Sequence, residues 1–214
     1  MDITIILIIA LTCITSFLGF NNADFFDKGK FNVAALLKDH QWYRLISSAF
    51  LHGDFVHLLF NMFTLYFFSG IIIEYLSSSH YLVIYFSAVL GGNLLSLFIY
   101  RRNSYYSAIG ASGGVSGILF AAIAINPFTK LIIFPIPIPM EGWIFGIFYL
   151  AYSVYGMKSQ LGNIGHAAHL GGAVVGLLFA IIFMPQVLQT NGLYIGIMAI
   201  PLIALAYYVY QKSK

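Results

Sequence analysis

Three clusters of polar residues interrupt an otherwise apolar chain: Ser112 with Ser116, His166 with His169, and His57 with Asn61. A serine hydroxyl brought to hydrogen-bond distance of an imidazole can act as a nucleophile, with the ring taking its proton. Ser112 lies in Gly110-Ala111-Ser112-Gly113-Gly114-Val115-Ser116-Gly117, at the start of a short apolar segment. The first four amides of a helix have no partner within it, so the Ser112 N–H is available to a developing oxyanion. Ser116 lies one turn deeper, where its amide is bonded to the Ser112 carbonyl. Ser112 is therefore the better nucleophile of the two. All seven acids fall in loops or at span ends, which leaves histidine as the base. His169 is followed three and seven residues later by Gly172 and Gly176, on the same helical face. Gly113 and Gly117 form a matching pair beside Ser112, and small-xxx-small faces let helix backbones approach closely. His57 and Asn61, four apart on one face, each carry a donor for an oxyanion.

Each group also has a structural reading when taken alone. A membrane serine commonly bonds back to its own helix, and a lone histidine commonly bridges a helix pair. His57 can stabilise a helix N-terminus, and His166 can line a water path, orient its neighbour or serve packing only. His52 braces a loop. No His-Glu-x-x-His motif or cysteine ligand set accompanies the histidines, so no metal and no cofactor is expected.

These residues must be positioned by a membrane fold. Hydrophobic residues make up 60% of the 214 and charged residues 8%, against about 45–50% and 25% in a typical globular protein. So little charge excludes a water-soluble globule, a disordered chain and a nucleic-acid partner, and makes the lipid bilayer the surrounding medium. The single cysteine, Cys13, excludes a disulfide framework and reads as a packing residue. Uncharged stretches of membrane length predict seven spans near 3–19, 57–76, 80–100, 112–126, 142–157, 166–184 and 193–210. The last two share 53 uncharged residues from Ser159 to Gln211, with breaks expected at Met184-Pro185-Gln186 and Asn191-Gly192. The first span lacks a basic leader and a small-residue cleavage site, so it is expected to stay in the mature protein. Residues 20–56 mix four acids and four bases with many aromatic and aliphatic groups. That mixture predicts a folded loop at the membrane interface. Phe134-Pro135-Ile136-Pro137-Ile138-Pro139 cannot be helical and is expected to be an extended connection.

In order along the chain, Trp42-Tyr43-Arg44, His52, His57 with Asn61, Gly110-Ala111-Ser112-Gly113, the Phe-Pro-Ile-Pro-Ile-Pro connection and Ala168-His169-Leu170-Gly171-Gly172 with Gly176 resemble a rhomboid intramembrane serine protease. The resemblance covers roughly Ile3 to Pro185. It implies an all-α polytopic membrane protein with a six-helix catalytic domain over 1–185. Residues 186–214 would then be an additional transmembrane helix and short tail, without evident chemistry. The resemblance implies Ser112 as nucleophile, His169 as general base, and His57, Asn61 and the Ser112 amide as oxyanion donors. It also implies structural roles for Arg44 and Glu74. The substrates would be transmembrane segments of other proteins, cleaved through an acyl-enzyme in a bacterial-type cell membrane. A catalytically silent relative that binds membrane clients is the alternative. One departure stands out: the family often has an aromatic residue one turn after the nucleophile, supporting the histidine, where this chain has Ser116. Nine of the ten bases fall on the side carrying residues 20–56, 101–109, 158–165 and the C-terminus. The positive-inside rule would make that face cytoplasmic, whereas the resemblance would make it extracytoplasmic.

Overall fold

The structure is a computed structural model, and it describes residues 2–133, 136–159, 161 and 164–213. Seven long helices carry the architecture: α1 (Ile3–Asn21), α5 (Phe55–Tyr75), α6 (Ser78–Tyr100), α7 (Ser112–Ile125), α8 (Gly142–Ser159), α9 (His166–Phe183) and α10 (Val187–Ser213). Between α1 and α5 lie three short helices, α2 (Ala23–Gly29), α3 (Val33–Leu37) and α4 (Arg44–Ser47), with a two-residue strand β1 (Phe31–Asn32). β1 pairs antiparallel with β2 (Ser107–Ala108), and β3 (Lys130–Ile133) with β4 (Ile136–Glu141). The chain is thus an all-α polytopic membrane protein, as the sequence predicts, with two small antiparallel strand pairs, one of which ties residues 31–32 to 107–108. Of these helices, α1, α5, α6, α9 and α10 are long and apolar enough to cross a bilayer.

The solvent dictates which side chains face outward. Ile3, Leu7, Leu11, Ile14 and Leu18 of α1 are exposed, as are Leu193, Ile200 and Ile203 of α10. In water this would be an aggregation surface; against lipid tails it costs nothing.

α7 is the exception and the centre. Every residue from Gly113 to Ile125 is buried, with α5, α6, α8, α9 and α10 packed around it. Its 14 residues rise only about 21 Å at 1.5 Å per residue, short of the ~30 Å hydrocarbon layer. One end of α7 must therefore begin inside the membrane. The non-helical segment leading to Ser112 is buried only at Ala111, the residue next to it, with Ala108, Ile109 and Gly110 half-buried.

Helix starts also distinguish α7 and α9 from the other long helices whose caps are given. α1, α2, α3, α5 and α6 each open on a side chain that accepts an unpaired amide: Asp2, Asn22, Asn32, Asp54 and Ser77. By contrast, α7 opens on Ala111 and α9 on Gly165, neither with a side-chain cap. Only the helices holding Ser112 and His169 break the pattern among the long helices whose caps are given.

The expected interfacial loop is a folded layer. Arg44 is buried and donates from Nη1 to the carbonyls of Asp27 and Lys30, both at 2.7 Å, and from Nε to Gln41 Oε1 at 2.7 Å. These bonds tie α4 to the α2–β1 turn, the structural role implied for Arg44. Glu74 is exposed near the end of α5. Of the proline-rich connection, residues 136–139 are extended within β4, while Phe134 and Pro135 lie outside the described residues.

The break expected at Asn191-Gly192 does not occur. α10 begins at Val187 and runs through both residues. Pro185 alone ends the preceding span, and the Asn191 side chain serves another helix. It donates to Ala124 O at 3.0 Å and Ile125 O at 2.9 Å, satisfying carbonyls that the end of α7 leaves without partners.

Candidate active site

The seam between α7 and α9 forms as the glycine spacing predicts. A methyl group built on Gly172 would collide with the Gly113 carbonyl, and one on Gly176 with the Gly117 carbonyl. The same construction on Gly113 meets Ala168 O at 3.5 Å. The residue after Ser112 therefore lies against the residue before His169. Among the described residues Ser112 Oγ makes no hydrogen bond, to His169 or to any other group. Catalytic hydrogen bonds are often long in unliganded enzymes and tighten when substrate binds.

The turn before Ser112 is held from the interfacial layer. Gly110 N–H donates to Ser48 O at 2.9 Å, and Ser48 is itself fixed by Asn93 Nδ2, which reaches Ser48 Oγ at 3.1 Å and Leu45 O at 2.8 Å. Ala111 N–H donates to His52 Nε2 at 3.3 Å. The Ser112 N–H is the next amide, and among the described residues it has no acceptor. Gly110 has φ +117°, a left-handed conformation that favours glycine. A Cβ there would sit 2.9 Å from His57 Nε2 and 3.8 Å from Ser112 Oγ. His57 is thus seated directly beside the turn that carries Ser112.

Asn61 is placed less favourably than the sequence suggests. It is buried one turn below His57, and its Nδ2 donates to His57 O at 3.0 Å. One of its two amide hydrogens is therefore committed to its own helix, leaving one for any other acceptor.

His52 does more than brace a loop. It is fully buried, its Nδ1 lies 2.9 Å from Ser16 Oγ, and Ser16 Oγ donates to Phe50 O at 3.0 Å. Since Nε2 accepts from Ala111, the proton of the ring sits on Nδ1 and is donated to Ser16. The relay from Phe50 through Ser16 and His52 to Ala111 is satisfied only while His52 is neutral, because a protonated Nε2 could not accept from the Ala111 amide. Burial, reinforced by neighbouring His57, lowers its pKa from 6.5 to about 3. Between those two values the unfolded chain binds a proton that the folded chain refuses. The stability contributed by neutral His52 is complete above pH 6.5 and is lost progressively as pH falls toward 3. Thermal unfolding of the purified protein should therefore weaken from pH 6.5 to pH 4. His52→Gln, though less stable at neutral pH, should show a shallower slope; equal slopes would remove His52 as the cause.

A cavity of about 640 Å³ reaches His57 and His166, lined also by Asp54, Asn103, Tyr106, Ser107 and Ile109 among others. It joins the three loops that the span count places on one side. His166 is buried, its Nε2 lies 3.3 Å from Leu161 O, and its Nδ1 has no partner among the described residues. It is therefore a cavity-wall residue beside the site.

Two contributors are not visible as site residues in the sequence. Ser16 looks like one more small residue of an apolar span. Tyr149 of α8 stacks on His169, with ring centroids 5.8 Å apart and planes at 21°. Its hydroxyl lies 2.8 Å from Ser116 Oγ. The position of Ser116, too small to support a histidine, was the available signal that a ring must come from elsewhere. No group of three or more metal-binding side chains occurs among the described residues.

Comparison with known proteins agrees with this architecture. The family model described as a Rhomboid domain matches residues 39–186. The chain is 32% identical over 139 residues to Rhomboid protein 1, mitochondrial, of Saccharomyces cerevisiae, covering 63% of this chain and 40% of that protein. It is 32% identical over 154 residues to RHOMBOID-like protein 12, mitochondrial, of Arabidopsis thaliana, covering 64% and 45%. Over 205 residues it is 29% identical to Rhomboid protease AarA of Providencia stuartii, covering 85% and 71%. The chain thus spans less than half the length of the first two relatives. Their mitochondrial names lend no support to the bacterial-type membrane expected from sequence; a multi-pass membrane protein is what the comparisons sustain.

Proposed function

The chain belongs to the rhomboid family, and on that premise we propose that it is an intramembrane serine endopeptidase acting on transmembrane segments of other proteins. The observation that carries this reading is the glycine seam, which sets the start of α7 against the first turns of α9. Ser112 Oγ attacks the scissile carbonyl, and His169 takes its proton and later delivers it to the departing amine. Water then releases the acyl-enzyme. The Ser112 N–H, His57 and the free hydrogen of the Asn61 amide receive the negative charge on the tetrahedral oxygen. Among the described residues no carboxylate pairs with the imidazole, so packing has to hold it. The cavity bordered by His57 and His166 supplies the route for water.

The rival reading, a silent client-binding relative, draws on the absent Ser112–His169 hydrogen bond. A fluorophosphonate separates the two. The purified protein should be labelled at a single site, and Ser112→Ala should remain unlabelled. A chain that stays folded yet never reacts is the binder.

A further inference from the structure

We propose that Tyr149 is the positioning residue for His169 and that Ser116 is its anchor. The inference rests on the proteolytic reading and deepens it, since that reading leaves the imidazole without an orienting carboxylate. Ser116 is 2% exposed and lies one turn after Ser112 on α7. Its hydroxyl holds the Tyr149 hydroxyl at 2.8 Å. The Tyr149 ring contacts Phe120 at 5.6 Å and Phe145 at 5.5 Å between centroids. It also packs nearly parallel to His169, with the centroids 5.8 Å apart.

Three helices thus meet on one aromatic ring: α7 fixes its tip, α8 carries it, and α9 presents the histidine to it. A nearly parallel ring restricts rotation of the imidazole, which is the job a carboxylate does in triads. The aromatic face also favours the positively charged ring formed when the proton is taken. α10 holds the arrangement from outside. A Cβ on Gly146, one turn before Tyr149, would meet Met198 Sδ at 2.6 Å and Phe120 at 3.3 Å. Met198 is fully buried in that notch.

The test measures fluorophosphonate reaction with the full-length protein, separating the maximal rate at saturating probe from the half-saturating concentration. Tyr149→Leu should lower the maximal rate about 10–100-fold, the usual consequence of a misplaced catalytic group. The half-saturating concentration should not move. Tyr149→Phe and Ser116→Ala each remove the same hydrogen bond, so each should lower the maximal rate by about two- to ten-fold. Their double variant should be no slower than the slower single one. That cycle decides the matter even where Tyr149→Leu fails to fold. A folded Tyr149→Leu chain reacting at the wild-type rate would overturn the proposal, as would multiplicative losses in the cycle. A wild type that never reacts at Ser112 would overturn the proteolytic reading with it; normal wild-type labelling isolates the failure to Tyr149.

Discussion

Ser112→Ala is expected to reduce cleavage of a transmembrane substrate by on the order of 10⁴–10⁶-fold, with His169→Ala falling as far and the double variant no further. The non-additivity is the informative part. A nucleophile and its base act as a unit, so once either is gone the other has nothing left to assist. Two independent contributions would multiply instead. Initial rates for the three variants in proteoliposomes, at equal folded concentration, provide the check. A double variant slower than both singles by the product of their losses would mean that Ser112 and His169 act separately. The residual rate should reflect the oxyanion donors alone, so adding His57→Ala to Ser112→Ala should lower it again.

The second large effect lies in the seam. Gly172→Ala is expected to lower cleavage by about 100-fold or more, because displacing one reacting group by an ångström has that consequence. The added methyl would strike the Gly113 carbonyl, a backbone atom that cannot rotate away. Relief therefore requires α7 and α9 to separate, which carries His169 away from Ser112. Overpacking of this kind also destabilises by about 1–3 kcal/mol, so the melting temperature should drop. Gly196→Ala provides the control, since a Cβ there meets nothing within 4 Å. Wild-type activity in Gly172→Ala would show that the seam does not set the geometry.

Much of this was legible because lipid is an unforgiving solvent. Uncharged stretches of membrane length predicted seven helices, of which five are long and apolar enough to cross a bilayer, and polar residues inside them pointed to partners or a task. The glycine pairs beside Ser112 and His169 could be matched by period alone, and the structure joins them in that register. What sequence spacing could not supply were contacts between elements of no fixed separation. Ser16 and His52 are 36 residues apart, and nothing in either neighbourhood points to the other. Tyr149 is one of fifteen tyrosines, and only the packing of α8 across α7 and α9 singles it out. Asn191 read as a helix breaker because asparagine before glycine usually is one. Its value in capping α7 depends on a fold that the local pattern does not encode. The internal order of residues 20–56 was similarly hidden, although its role follows from two bonds. Ser48 and His52 grip the amides of Gly110 and Ala111, so the loop fixes the turn that leads to Ser112.

The most direct measurement is a crystal structure of the full-length protein after reaction with a fluorophosphonate. The account predicts a phosphorus–oxygen bond to Ser112 Oγ, with a His169 ring nitrogen within about 3.2 Å of that oxygen. The phosphoryl oxygen should take a hydrogen bond from the Ser112 amide. An adduct on another residue, or an imidazole turned away from Ser112 while still stacked on Tyr149, would contradict it.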